Sequence, residues 1–152
     1  MQTTLGSVLV LLVDDSDDKR TLAMRHARRI GFTEIKVLLS EFNDTIETAT
    51  QQFLAFKETH FGPILIILDG TWSTRGEIAA KEGNFEEMDC VLFLKSLARR
   101  LSEDDCSRVT VIVDSTWPPE DFSIFPSTLM PLQSSDNSLS TLLSVAAQII
   151  SG

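Results

Sequence analysis

The sequence predicts an α/β fold built on a parallel sheet. Three observations carry that expectation. Strand-like and helix-like segments alternate along the whole chain, which calls for right-handed crossovers between parallel strands. The run Val8–Val13 is apolar at every position and Ile64–Leu68 likewise, as in strands buried on both faces. Each of these runs ends in acid, Asp14-Asp15 after the first and Asp69 after the second. With 152 residues the chain has the length of one domain, spanning 1–152, and enough mass for a sizeable core.

The elements follow in order. Val8–Val13 is the first strand. Ser16 is a good N-cap for the next helix, and Asp17 and Asp18 suit its positive end. Leu22, Ala23, His26, Ala27 and Ile30 recur at helical spacing, and Gly31 stops the helix. Ile35–Leu39 is the second strand. Asn43 is expected to cap a second helix with Ile46, Ala49, Thr50, Phe53 and Leu54 on one face. Gly62-Pro63 breaks the chain before the third strand, Ile64–Leu68. The stretch Gly70 to Glu87 is polar, contains Gly76 and Gly83, and has weak periodicity, so it reads as a long functional or mobile loop. Met88 to Leu101 reads as a helix with Arg99 and Arg100 at its negative end. Glu103-Asp104-Asp105 reads as a solvated loop before the fourth strand, Val109–Val113. Trp117-Pro118-Pro119 makes a turn, and Glu120 to Ser127 is too short and Pro-flanked for a long helix. A brief fifth strand is expected at Thr128–Met130, closed by Pro131. Ser134 to Ser138 is a capping cluster, and Ser138–Ile150 is the last helix.

Composition narrows the function. The net charge of -9 argues against direct binding to nucleic acid or an anionic membrane, and leaves basic protein surfaces as partners. No apolar run is long enough to cross a bilayer. Met1 to Ser7 has no basic region, so the following strand does not read as a signal peptide. Cys90 and Cys106 lack metal-ligand spacing and suggest plain thiols in a reduced, cytoplasmic setting. His26 is expected to pack on its helix face and His60 to be solvated. Trp72 and Trp117 lie near the acidic edge, either as a packed cap or as an anchor for a partner.

Ligands bind outside the carboxyl ends of strands in open α/β sheets. Asp14, Asp15 and Asp69 would gather there. Three like charges together call for a cation, most simply Mg²⁺.

In these blocks the chain resembles the receiver domain of bacterial two-component response regulators. The residues are Val13-Asp14-Asp15-Ser16 with a helix ending Ile30-Gly31-Phe32, then Leu68-Asp69, then Met88-Asp89 with Val91-Leu92-Phe93-Leu94-Lys95. The resemblance covers nearly the whole chain, with Cys90 where a glycine is usual. It implies a doubly wound, flavodoxin-like sheet of five parallel strands in the order 2-1-3-4-5, with the fourth helix shortened or missing. It implies that Asp69 accepts a phosphoryl group and that Asp14, Asp15, Asp69 and Thr71 hold Mg²⁺. It implies a histidine kinase or phosphotransfer protein upstream and a protein partner downstream, and it allows a homodimer. In that setting the chain is no enzyme beyond self-dephosphorylation.

The departures concern the relay. Receivers end the fourth strand in Thr or Ser; here Asp114 stands there, with Ser115 next. They end the fifth in Lys-Pro; here the pair is Met130-Pro131, and methionine supplies no cation. The pattern is therefore that of an atypical receiver, either accepting phosphate at Asp69 or acting as a phosphorylation-independent interaction module. Asp69-Gly70-Thr71 also resembles the end of the Asp-x-Asp-Gly-Thr pattern of haloacid-dehalogenase-type Mg-dependent phosphohydrolases. That resemblance is partial: the pattern lies on the third strand, and the downstream lysine and acid pair are missing.

Overall fold

The computed structural model describes residues 4–39, 41–115, 121–133 and 138–152. Four parallel strands form one sheet in the order β2-β1-β3-β4: β1 (Leu9–Val13), β2 (Glu34–Leu39), β3 (Ile64–Asp69) and β4 (Val109–Asp114). The helices are α1 (Asp17–Ile30), α2 (Ile46–Thr59), α3 (Thr74–Lys81), α4 (Asp89–Arg100), α5 (Glu103–Ser107) and α6 (Leu139–Ser151). No helix among the described residues is long and apolar enough to cross a membrane.

The two central strands explain the winding. Side chains alternate across a strand, so an unbroken apolar strand must feed two cores. Leu9, Leu11 and Val13 of β1 join Ile64, Ile66 and Leu68 of β3 on one face, with Phe53 of α2 and Phe93, Leu94 and Leu97 of α4. Val10 and Leu12 join Leu65 and Ile67 on the other, with Ala23 and Ala27 of α1 and Leu142, Leu143 and Ala146 of α6. Helices thus cover both faces, and the order reverses between β1 and β3.

Helix ends follow the sequence closely in places. The Ser16 side chain accepts from Lys19 N, and the Gly31 cap has φ 126°, a conformation that favours glycine. Leu22, expected on the buried face of α1, is 48% exposed.

Several expectations need correction. The five-stranded sheet has four strands among the described residues. Thr128 and Leu129 lie in a 3₁₀ turn, Ser127–Leu129, and Met130 caps it. Leu132 N donates to Val111 O at 2.9 Å, the backbone bond among the described residues that joins this segment to β4. Pro126 and Pro131 bracket the segment and offer no N–H, which removes two donors a ladder would need. Between β4 and that turn the described residues hold one more 3₁₀ turn, Phe122–Ile124. Trp117-Pro118-Pro119 and the 134–137 part of the serine cluster lie outside the described residues.

Asn43 does not cap α2; Thr45 does, accepting from Thr48 N. Asn43 sits at φ 70° and grips the segment after β3 instead. Its N–H donates to Trp72 O at 2.6 Å, and its Oδ1 accepts from Thr74 N at 2.8 Å.

The stretch 70–87 is not a bare loop. It contains α3 and a 3₁₀ turn, Phe85–Glu87. Its anchor is Asp89, 1% exposed at the start of α4. Asp89 Oδ2 accepts from Trp72 N at 2.8 Å and Ser73 N at 3.0 Å, and Oδ1 accepts from the Ser73 hydroxyl at 2.8 Å and Arg75 Nη2 at 2.9 Å. Gly76 is required by this clamp, since a Cβ there would stand 2.1 Å from Asp89 Oδ2. Glu103-Asp104-Asp105, expected as a loop, opens α5 behind the Ser102 cap.

Candidate functional site

β1 and β3 are in register from Leu9↔Ile64 to Val13↔Leu68, so their acidic ends arrive side by side. Asp14, Asp15 and Asp69 each offer a carboxylate oxygen, and these oxygens lie within 4.8 Å of one another. The crevice sits where the strand order reverses, the place where such sheets bind ligands. Asp14 is buried, and Asp15 and Asp69 are half-buried.

The cation in the crevice is one that the sequence reading missed. Lys19 Nζ lies 2.9 Å from Asp69 Oδ1 and 3.2 Å from Asp14 Oδ2, and donates to the Asp114 carbonyl at 3.2 Å. Lys19 belongs to the first turn of α1, and that turn rises directly above the end of β1. A basic residue in the first turn after a strand that ends in acid was the signal available. Arg20 binds main chain and a neighbouring acid instead, with Nη1 donating to Asp14 O at 2.7 Å and Nη2 to the Asp17 carboxylate.

The remaining bonds are local. Asp14 Oδ1 accepts from Ser16 N at 3.0 Å, and Asp69 Oδ1 from Gly70 N at 2.8 Å. Asp69 thus places both of its bonds on Oδ1, and Oδ2 accepts none among the described residues.

Charge balance follows from this geometry. Burial, then the Asp14 carboxylate, pushes the Asp69 carboxyl up to about 7, with Lys19 pulling the other way. Burial also raises Asp14, against the Ser16 N–H and Lys19. Burial acts to lower the Lys19 ammonium, but Asp69, Asp14 and Asp114 together outweigh it and hold the group above the ordinary lysine range. One lysine does not compensate three carboxylates, so the crevice keeps an excess of negative charge.

The other expected site residues fall around this centre. Asp114 is paired with Asp69 in the β3–β4 register, so the acid at the end of the fourth strand does stand beside the central one. Ser115 follows it and packs on Gly70, where a Cβ would stand 2.1 Å from the Ser115 Oγ. Gly70 is therefore fixed by this close approach. Thr71 is half-buried two residues beyond Asp69. Met130 is off any strand and 39% exposed.

Trp72 is fully buried, edge-on to Phe93 at 6.1 Å, with Nε1 donating to Asp44 O. It is core rather than a partner anchor. Cys90 and Cys106 are buried free thiols, and burial pushes Cys90 up to about 12, away from thiolate chemistry. His60 is half-buried, its Nε2 3.0 Å from Pro63 O, and is not simply solvated.

The donor set suits a hard divalent ion, because three carboxylates converge and such ions take oxygen ligands. Lys19 holds Asp14 Oδ2 and Asp69 Oδ1, while Asp69 Oδ2 is left open among the described residues. Comparison with protein-family models, curated proteins and solved structures gives no match.

Proposed function

We propose that the chain is an atypical receiver-like signalling domain of flavodoxin-like winding, with Asp69 as the phosphoacceptor and a second protein as its target. The observation that carries this reading is the meeting of Asp14, Asp15 and Asp69 at the strand-order reversal. In this reading Asp69 Oδ2 attacks the phosphorus of a phosphohistidine-type donor, and the bond from phosphorus to the donor breaks. Asp14, Asp15, Asp69 and the main chain near Thr71 would hold Mg²⁺. When bound, that ion supplies charge neutralisation for the transferring group. Lys19 is the cation on Asp69 in the ion-free crevice, and Met130, which caps a turn, supplies none for the phosphoryl oxygens.

The relay beyond the crevice is weak in this reading. Asp114 puts a carboxylate where a neutral hydroxyl would greet the phosphoryl group. A state that gains no differential contacts shifts no equilibrium.

The test is incubation with a small phosphodonor such as acetyl phosphate and Mg²⁺, followed by intact mass. One phosphoryl adduct is expected, released by hydroxylamine and lost in Asp69→Asn. An adduct that persists in Asp69→Asn would refute the assignment. An unchanged mass in the parent protein would leave the domain as an interaction module working without phosphate.

A further inference from the structure

We infer that Lys19 is a tethered cation that competes with a divalent ion for Asp14 and Asp69, so that loading the crevice releases α1 from the end of β4. The inference rests on the metal-binding part of the proposed function. It does not rest on phosphoryl transfer.

The geometry sets the competition. Lys19 Nζ bridges one oxygen of each of the two carboxylates that flank the crevice floor. An ion that took oxygens from both would stand within a few ångströms of that ammonium. At such separations two positive charges repel strongly even with effective screening. The two cations therefore exclude each other.

The side chain is built to leave. Lys19 is 34% exposed, whereas the Asp14 and Asp69 side chains are 10% and 12% exposed. The ammonium thus reaches inward from the rim on a flexible stem, and can swing to water without disturbing the core. It is not needed to start the helix, because the Ser16 side chain caps Lys19 N, and Arg20 holds the Asp14 carbonyl. Three carboxylates with one ammonium keep a negative excess that a doubly charged ion neutralises better.

Departure has a mechanical result. The same ammonium donates to the Asp114 carbonyl, so it staples the first turn of α1 to the last residue of β4. Ser115, the next residue, packs on Gly70 beside Asp69. Withdrawal of Lys19 opens that staple. The crevice then reports its cation through β4, although no fifth strand is formed among the described residues.

The experiment compares the full chain with Lys19→Met, using Mg²⁺ in calorimetry and lysine-ammonium and amide resonances in NMR. Lys19→Met is expected to bind Mg²⁺ at least tenfold tighter. In the parent protein Mg²⁺ should move the Lys19 ammonium signal toward that of a free lysine, with amide shifts at residues 17–20 and 113–115. Equal affinities, or an ammonium signal unmoved at saturating Mg²⁺, would overturn the competition while leaving the metal site standing. Absence of binding in both proteins would overturn the competition and the metal reading together. Where Lys19→Met fails to fold, the ammonium titration of the parent protein decides alone.

Discussion

Two acidic centres, one buried and one partly buried, lie within one chain, and they are built on opposite terms. Asp89 is 1% exposed and receives two backbone N–H groups, a hydroxyl and a guanidinium. The crevice around Asp69 gathers three carboxylates against one lysine. The first centre is saturated by donors that the fold supplies. The second is left short of positive charge. A buried carboxylate surrounded by donors needs nothing more, whereas carboxylates gathered around too little positive charge keep an unmet demand.

The largest expected effect tests the saturated centre. Asp89→Ala leaves Trp72 N and Ser73 N without their acceptor and takes one partner from Arg75, and should cost about 3–5 kcal/mol of unfolding free energy. Urea denaturation measures it, and hydrogen exchange should show α3 losing protection first. A loss near zero would mean that the clamp is incidental.

The opposite sign is expected at the crevice. The Asp69 carboxyl is pushed from 3.8 up to about 7 in the fold, so the folded chain holds that proton more tightly than the unfolded one. The group costs nothing below the unfolded value, and its cost grows as pH rises through about 7. Asp69→Asn should therefore stabilise the protein by about 2–4 kcal/mol at pH 8, the pull of Lys19 being already contained in the raised value. The gain should fade toward pH 4. Thermal midpoints across that range decide it, and a destabilised variant at pH 8 would mean that Lys19 fully compensates the acid.

Two smaller changes sharpen the contrast. Gly76→Ala drives a Cβ into Asp89 Oδ2, and should cost about 1–2 kcal/mol by displacing the clamp. Arg75 is half-exposed, so Arg75→Ala should cost under about 1 kcal/mol, read from the same denaturation curves. A larger loss from Arg75 than from Gly76 would show charge, not close packing, to dominate there.

Much of the frame was legible because its signals are local. The unbroken apolar runs of β1 and β3, the Ser16 cap, the Gly31 stop and the acids at the strand ends all speak within a few residues. What was not legible depends on distant partners. α3 carries Gly76 and only weak periodicity, and it is held by Asp89, which is 16 residues from Ser73. Asn43 looks like a cap in sequence but finds its partners at Trp72 and Thr74. Lys19 reads as one more charge in an acidic first turn, because Asp69 is 50 residues away. Thr128–Met130 has strand-like composition, yet the prolines around it withhold donors and the turn wins.

The parallel sheet also bears on time. Leu9 meets Ile64 and Ile64 meets Val109, and no pair of neighbouring strands is joined by a hairpin. Every ladder must wait for a long crossover to close before any contact rewards it, which slows folding. Meanwhile Ile64–Leu68, a five-residue run without a charge or a proline, has no cover. Refolding yield should therefore fall with protein concentration well before equilibrium stability is at issue, and a fresh chain would be most vulnerable in the interval before α4 closes over that strand.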